Sequence, residues 1–164
     1  MRLVLVILAI CYVIFFACLY ATMSELPARI ASHFDALGRP NGWMERGSYL
    51  EFIIGMVVGL PLFVVGITAV TGRLGRGMNI PHREYWLAPE RRRATVAVMM
   101  RYMIALCSVM VLFLTALHFL IVAANANPAA PRMNFPGTWA LLGAMLAATG
   151  TWCWLLWRRF SRTP

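Results

Sequence analysis

The sequence predicts an all-α integral membrane protein, a four-transmembrane-helix bundle with a short amphipathic helix in its first outer loop. Three observations carry this. The 164 residues are 61% hydrophobic and only 13% charged, where a soluble domain carries about 25% charged residues. Four apolar runs are each long enough to cross a bilayer, which takes roughly 20 helical residues. The formal net charge is nonetheless +9, and the charges gather in the short connections between runs. A disordered basic tail would be poor in hydrophobes, and a nucleic-acid-binding domain would spread its cations over a polar surface. Nucleic acid is therefore not an expected partner.

The first span covers residues 3–23, with no charge among them. Arg2 resembles the basic start of a signal peptide, but the apolar stretch is too long and lacks a clear small-x-small cleavage site. It is expected to be an uncleaved anchor. The later spans fall at about 50–71, 96–124 and 138–157, and the helical pattern of the third reaches back to about Pro89. Backbone polar groups in lipid must pair within the segment, so the runs should be helices. The four together form one membrane domain, 1–164, with an outer cap at 24–49 and a basic inner loop at 72–95.

The outer cap reads SELPARIASHFDALGRPNGWMERGSYLE. Leu26, Ile30, Phe34 and Leu37 recur at helical spacing, with His33 beside the stripe. Pro27 suits a first helical turn and Gly38 the position after a last one. The spacing predicts a helix over 27–37, lying on the outer surface or capping the bundle. GRPNGW would follow as a tight turn on Pro40 and Asn41-Gly42, placing Trp43 as an interfacial anchor.

In the second span Gly55 and Gly59 make a GxxxG step, with Gly66 beyond, and Pro61 should kink the helix. The fourth span has a second small-residue face at Ala140, Gly143, Ala144, Ala147 and Gly150. Both faces are expected to pack inside the bundle. The inner loop reads GRLGRGMNIPHREYWLAPERRRA. Asn79, Ile80 and Pro81 form an extended or turn segment. Tyr85, Trp86 and Leu87 suit the headgroup level. Pro89 and Glu90 begin the third helix, and Arg91, Arg92 and Arg93 follow where anionic headgroups would lie.

Orientation follows from the positive-inside rule. With the N-terminus inside, ten Arg (2, 73, 76, 83, 91, 92, 93, 158, 159 and 162) face the cytoplasm with Glu84 and Glu90. Arg29, Arg39, Arg46 and Arg132 lie outside, balanced by Glu25, Asp35, Glu45 and Glu51. The expected location is the bacterial inner membrane, N-in and C-in. Arg101, near the inner end of the third helix, should snorkel to the surface.

Catalytic, metal and cofactor chemistry finds no arrangement to rest on. Cys11, Cys18, Cys107 and Cys153 all fall in spans and form no CxxC pair, which argues against a disulfide oxidoreductase. His33 could serve as a proton or metal ligand beside Asp35 or Glu25, but it stands without a second His or Cys outside. The favoured role is to fix the cap. His118, inside the third span, is expected to hydrogen-bond a neighbouring helix rather than ligate haem. Glu51 reads as a carboxylate near a helix start.

The string LPARIASHFDALGRPNGW resembles the LPxxIxxHF…GxPxxW signature of a bacterial membrane family built on a domain of unknown function. That domain also forms the N-terminal part of SdpI-type immunity proteins. NIPHREYWLAPERR resembles a second element of such relatives, and together the two cover roughly residues 1–125. The resemblance implies an integral membrane protein, some of whose relatives protect their producer against a secreted, membrane-active toxin. With no catalytic arrangement in the sequence, the favoured reading is non-enzymatic: immunity to such a toxin or envelope signalling. SdpI-type proteins carry a second membrane domain with further helices; this sequence has four spans. On this reading Leu26, Pro27, Ile30, His33, Phe34, Gly38, Pro40, Gly42 and Trp43 meet a peptide or protein ligand outside. Asn79, Pro81, Tyr85, Trp86, Pro89, Arg91 and Arg92 meet a cytosolic or membrane partner, beside anionic lipid headgroups. The other reading is a small transporter or accessory subunit of a membrane complex, with Glu51, His118 and Arg101 along a polar path.

Overall fold

The computed structural model describes residues 1–75 and 77–163. Arg76, counted above among the inner cations, lies outside them. Four long helices carry the apolar runs: α1 (Arg2–Thr22), α2 (Arg46–Leu74), α4 (Pro89–Ala124) and α5 (Phe135–Phe160). All four are long and apolar enough to cross a membrane. Between α1 and α2 lies a hairpin, β1 (Arg29–Phe34) and β2 (Pro40–Glu45); a single turn, α3 (Arg83–Trp86), precedes α4. One end of the bundle bears the hairpin. The other bears the arginine-rich loop and the end of α5.

The helix α4 is the hub, with α1, α2 and α5 all packed on it. Its 36 residues make about 54 Å at 1.5 Å per residue, well beyond the roughly 30 Å of a hydrocarbon core. Pro89 occupies its first turn, where a missing N–H costs nothing. The main core joins Cys11, Phe15 and Leu19 of α1, Tyr49, Ile53 and Val57 of α2, and Val111, Leu114 and Ile121 of α4. Leu26 and Ile30 extend it under the hairpin. In lipid no hydrophobic gain draws helices together, so contacts and interhelical hydrogen bonds must hold them.

Pro61 shows how one such bond arises. A proline inside a helix leaves the carbonyl four residues earlier unpaired. That carbonyl is Val57, and the Tyr12 hydroxyl of α1 donates to it at 3.3 Å. The Cys107 thiol of α4 reaches the Pro61 carbonyl at 3.9 Å. All three central helices thus meet at the proline.

Two expectations are overturned here. The cap is not helical: Ile30, Phe34 and Leu37 do not share a face, since Ile30 is fully buried and Leu37 is 62% exposed. The stop comes from DALG. The Asp35 Oδ1 accepts from the Leu37 and Arg39 amides at 2.8 and 2.9 Å, an Asx turn. Gly38 then takes φ +74°, which non-glycine residues rarely adopt. Pro40, Asn41, Gly42 and Trp43 are the returning strand, not a turn.

The small-residue faces do not pack internally either. Nothing lies within 4 Å of a Cβ built at Gly55, Gly59, Gly66, Gly143 or Gly150. In α2 the buried positions Tyr49, Ile53, Val57 and Pro61 recur every fourth residue. Gly55 and Gly59 fall two residues on, about 200° around the helix, and face outward.

Candidate functional site

At the hairpin end three polar side chains from three helices converge. His118 of α4 is fully buried. Its Nε2 lies 2.7 Å from the Thr22 hydroxyl of α1, and its Nδ1 lies 2.8 Å from the Tyr49 hydroxyl of α2. Thr22 spends its own proton on the Cys18 carbonyl at 2.8 Å, so it accepts from His118. This assigns the neutral Nε2–H tautomer, with Nδ1 accepting from Tyr49. The Tyr49 and His118 rings stack at 5.8 Å. His118 therefore bonds neighbouring helices, as its place in an apolar run suggests.

Seven residues further along α4, Asn125 caps the helix and clasps the hairpin. Its Oδ1 accepts from the Ala31 amide at 2.8 Å, and its Nδ2 donates to the Ala31 carbonyl at 3.0 Å. Nδ2 also donates to Ile121 at 2.9 Å. A side-chain amide thus satisfies both backbone groups of Ala31 on β1, in place of a third strand. Further ties hold the turn and the base. The Met133 amide donates to the Gly38 carbonyl at 3.1 Å, and the Arg46 guanidinium donates to the Leu26 carbonyl at 3.2 Å.

The cap residues now divide by role. Leu26 and Ile30 are buried under the hairpin, with Pro27 and Phe34 partly covered. His33 pairs with Gly42 across the strands. A Cβ at Gly42 would sit 3.0 Å from the His33 Cβ, so the glycine is what lets the His33 side chain lie across β2. The His33 Nδ1 faces the Ser32 hydroxyl at 3.0 Å. Among the described residues neither Asp35 nor Glu25 hydrogen-bonds it. Pro40 pairs with Phe34. Trp43 is 41% exposed, with the Arg29 guanidinium over its ring at 5.6 Å. The Arg39 amide, donating to Asp35, holds that carboxyl below the ordinary carboxylate range, with the Leu37 amide and the charges of Arg39 and Arg132 adding to it.

At the opposite end the inner-loop residues form a second docked unit. The Trp86 indole donates to the Phe160 carbonyl at 2.9 Å and meets the Phe160 ring edge-on at 5.4 Å. Thr95 of α4 donates to the Trp86 carbonyl at 2.8 Å. His82, at φ 50°, places Nε2 3.1 Å from the Ser161 carbonyl. Arg91 covers the Tyr85 ring at 4.1 Å and Arg159 covers Trp86 at 4.7 Å. Asn79 is exposed and Pro81 partly covered, on either side of buried Ile80. Arg92 runs against Gly75, where a Cβ would meet its guanidinium at 2.6 Å. An open cleft of about 720 Å³ is lined by Gly75, His82, Arg83, Glu84, Tyr85 and Leu87.

Glu51 and Arg101 lie on the exposed surfaces of their helices, while His118 has no exposed surface at all. The three side chains therefore do not line a common path. Among the described residues no three His, Cys, Asp or Glu side chains gather where a metal ion could be held.

Sequence reasoning missed Asn125, Thr22 and Tyr49. A polar residue at a helix end is ordinary, and only the fold brings these three against Ala31 and His118.

The comparisons bear on one end only. Neither the comparison with curated proteins nor that with solved structures gives a match. The family match takes in α1, the hairpin and the first half of α2, and stops short of the NIPHREYWLAPERR segment. It is thus narrower than the 1–125 that the motifs suggest. Residues 6–59 match the family model of a domain of unknown function (DUF1648).

Proposed function

We propose that the chain is a non-enzymatic inner-membrane protein, N-in and C-in, that meets a peptide or protein ligand at its hairpin and answers at its arginine-rich end. The observation that carries this reading is that one helix, α4, holds both loops. Asn125 at one end clasps the Ala31 backbone; Thr95 near the other holds the Trp86 carbonyl. The hairpin offers Leu37 and Trp43 to a partner, and among the described residues no further strand pairs with the outer edge of β2. An extended peptide adds to such an edge through its main chain, with side chains giving selectivity. A secreted, membrane-active peptide fits that chemistry, which supports immunity or envelope sensing as the role. A ligand that shifts the hairpin changes the seating of α4, and with it the α3 segment that a cytosolic or membrane partner would touch. The transporter reading gains no support, because fully buried His118 lines no water path.

The test is complementation of a deletion strain challenged with envelope-active peptides. Trp43→Ala and Tyr85→Ala should each lose protection while membrane levels of the protein stay normal. Asn125→Ala should lose it as well. Full protection by all three variants would sink the proposal.

A further inference from the structure

We propose that the seam between α4 and α5 is a site for one anionic phospholipid, with its phosphate among three arginines and an acyl chain in the groove above them. A concavity of about 370 Å³ is lined by Tyr102 of α4, by Leu155, Arg158 and Arg159 at the end of α5, and by Arg162 just beyond it. Among the described residues no carboxylate lines it. The Arg158 guanidinium lies over the Trp154 ring at 5.2 Å, and that of Arg159 over Trp86 at 4.7 Å. Ring contacts occupy the guanidinium faces and leave the N–H edges free, the geometry in which Arg grips a phosphate. Among the described residues none of the three guanidinium groups donates a hydrogen bond, and neither does the Tyr102 hydroxyl. A helix C-terminus favours cations in its last turn. That accounts for charge on α5, but not for the meeting of three arginines with Tyr102 of the neighbouring helix around one hollow.

Further along the seam, past the Trp152 indole that donates to the Tyr102 carbonyl at 2.8 Å, lies an apolar groove of about 240 Å³, lined by residues that include Leu112 and Phe113 of α4 and Leu141, Ala144 and Ala148 of α5. Residues seven apart lie within about 20° of one another on a helix. Val109 thus shares the face of Tyr102, and Ala148 shares the face of Leu155. The two hollows therefore lie along one side of the helix pair. From Arg158 to Ala144 is about 21 Å along α5. Half a bilayer, headgroup to midplane, is about the same, since the whole is roughly 40–45 Å. The spacing fits one leaflet of lipid. The alanines open the groove that a chain would fill, and its lining residues Leu112 and Ala144 are exposed. Three cations disfavour a zwitterionic headgroup, whose ammonium would enter the same hollow. The site is independent of what the hairpin binds.

The test uses the purified full-length protein in detergent, with retained lipid read by native mass spectrometry. Phosphatidylglycerol should be retained at least tenfold more than phosphatidylcholine. Arg158→Gln with Arg162→Gln should bring it down to the phosphatidylcholine level. Ala148→Trp, which fills the groove, should reduce retention about tenfold while leaving the arginines in place. Inorganic phosphate in large excess should not displace the lipid, because it has no chain to place in the groove. Circular dichroism reports whether each variant keeps its helices. If the double variant does not fold, Arg162→Gln alone, beyond the end of α5, should still lower retention severalfold. Equal retention of the two lipids, or retention that the arginine variants leave unchanged, overturns the site. Displacement by phosphate, or indifference to Ala148→Trp, overturns it as a lipid site.

Discussion

Without Asn125 the outward N–H and C=O of Ala31 would face the end of α4 with no partner. An unpaired buried polar group costs about 1–3 kcal/mol, and the Asn amide removes two such costs with one side chain. Every buried side-chain polar atom among the described residues has a partner, and His118 shows the same economy in linking α1, α2 and α4. Asp35 acts at the turn in an exposed setting, and there protonation enters. Its carboxyl is lowered, first by the Arg39 amide that donates to it. A carboxyl with a lower pKa folded than unfolded contributes stability that is present above the unfolded value, about 3.9. That contribution is lost as pH falls through the folded value. The Leu37 and Arg39 amide resonances should therefore hold steady from neutral pH down to about 4 and move below it. Asp35→Asn keeps an acceptor oxygen and removes the proton, so its turn should show no such transition. A transition that survives in Asp35→Asn would assign it to another group.

At the scale of the element, the proline of α2 makes a pairwise prediction. Tyr12 donates to the carbonyl that Pro61 leaves free. Tyr12→Phe should therefore cost about 1 kcal/mol in the natural background. In Pro61→Ala, position 61 regains an N–H for Val57, and the same substitution should cost less than about 0.5 kcal/mol. Unfolding of the four proteins in a double-mutant cycle measures the difference. Equal costs in both backgrounds would show that the hydroxyl acts elsewhere. The four spans were legible in the sequence because an uninterrupted apolar run has few other fates. The helix ends were less so: α2 begins at Arg46 rather than 50, since hydropathy does not register the polar first turn of a helix. The hairpin was misread because four apolar residues at helical spacing outweighed DALG. An Asx turn followed by a glycine at positive φ stops a helix regardless of the stripe around it. The outward glycines show the same limit from the other side: a GxxxG step marks a face without saying what covers it. Of the candidate site, His118 and Trp86 stood out by type, whereas Asn125, Thr22 and Tyr49 gain their meaning only from neighbours more than sixty residues away in the chain.

At the scale of the whole molecule, charge is sorted along the bundle axis. The hairpin end carries Arg29, Arg39, Arg46 and Arg132 with Glu25, Asp35, Glu45 and Glu51, a balanced set. The other end carries the Arg91–Arg93 cluster, the three arginines at the end of α5, and Arg2, Arg73 and Arg83, against Glu84 and Glu90 alone. Such asymmetry in short loops orients a polytopic protein with its cations in the cytoplasm. In the proposed orientation the basic end would meet the leaflet whose anionic lipids attract it. The fold adds a constraint: α4 is longer than a hydrocarbon core is thick, and its first turns carry Arg91, Arg92 and Arg93 exposed. Inverting the chain would place this cluster and the docked α3 segment outside. Topology is therefore the prediction that separates the proposed arrangement from its mirror. In a version with the native cysteines replaced by serine, Leu37→Cys at the hairpin tip should react with a membrane-impermeant maleimide in intact cells. Glu84→Cys should react only after the membrane is opened. The reverse pattern would put the hairpin in the cytoplasm, where a secreted peptide could not reach it.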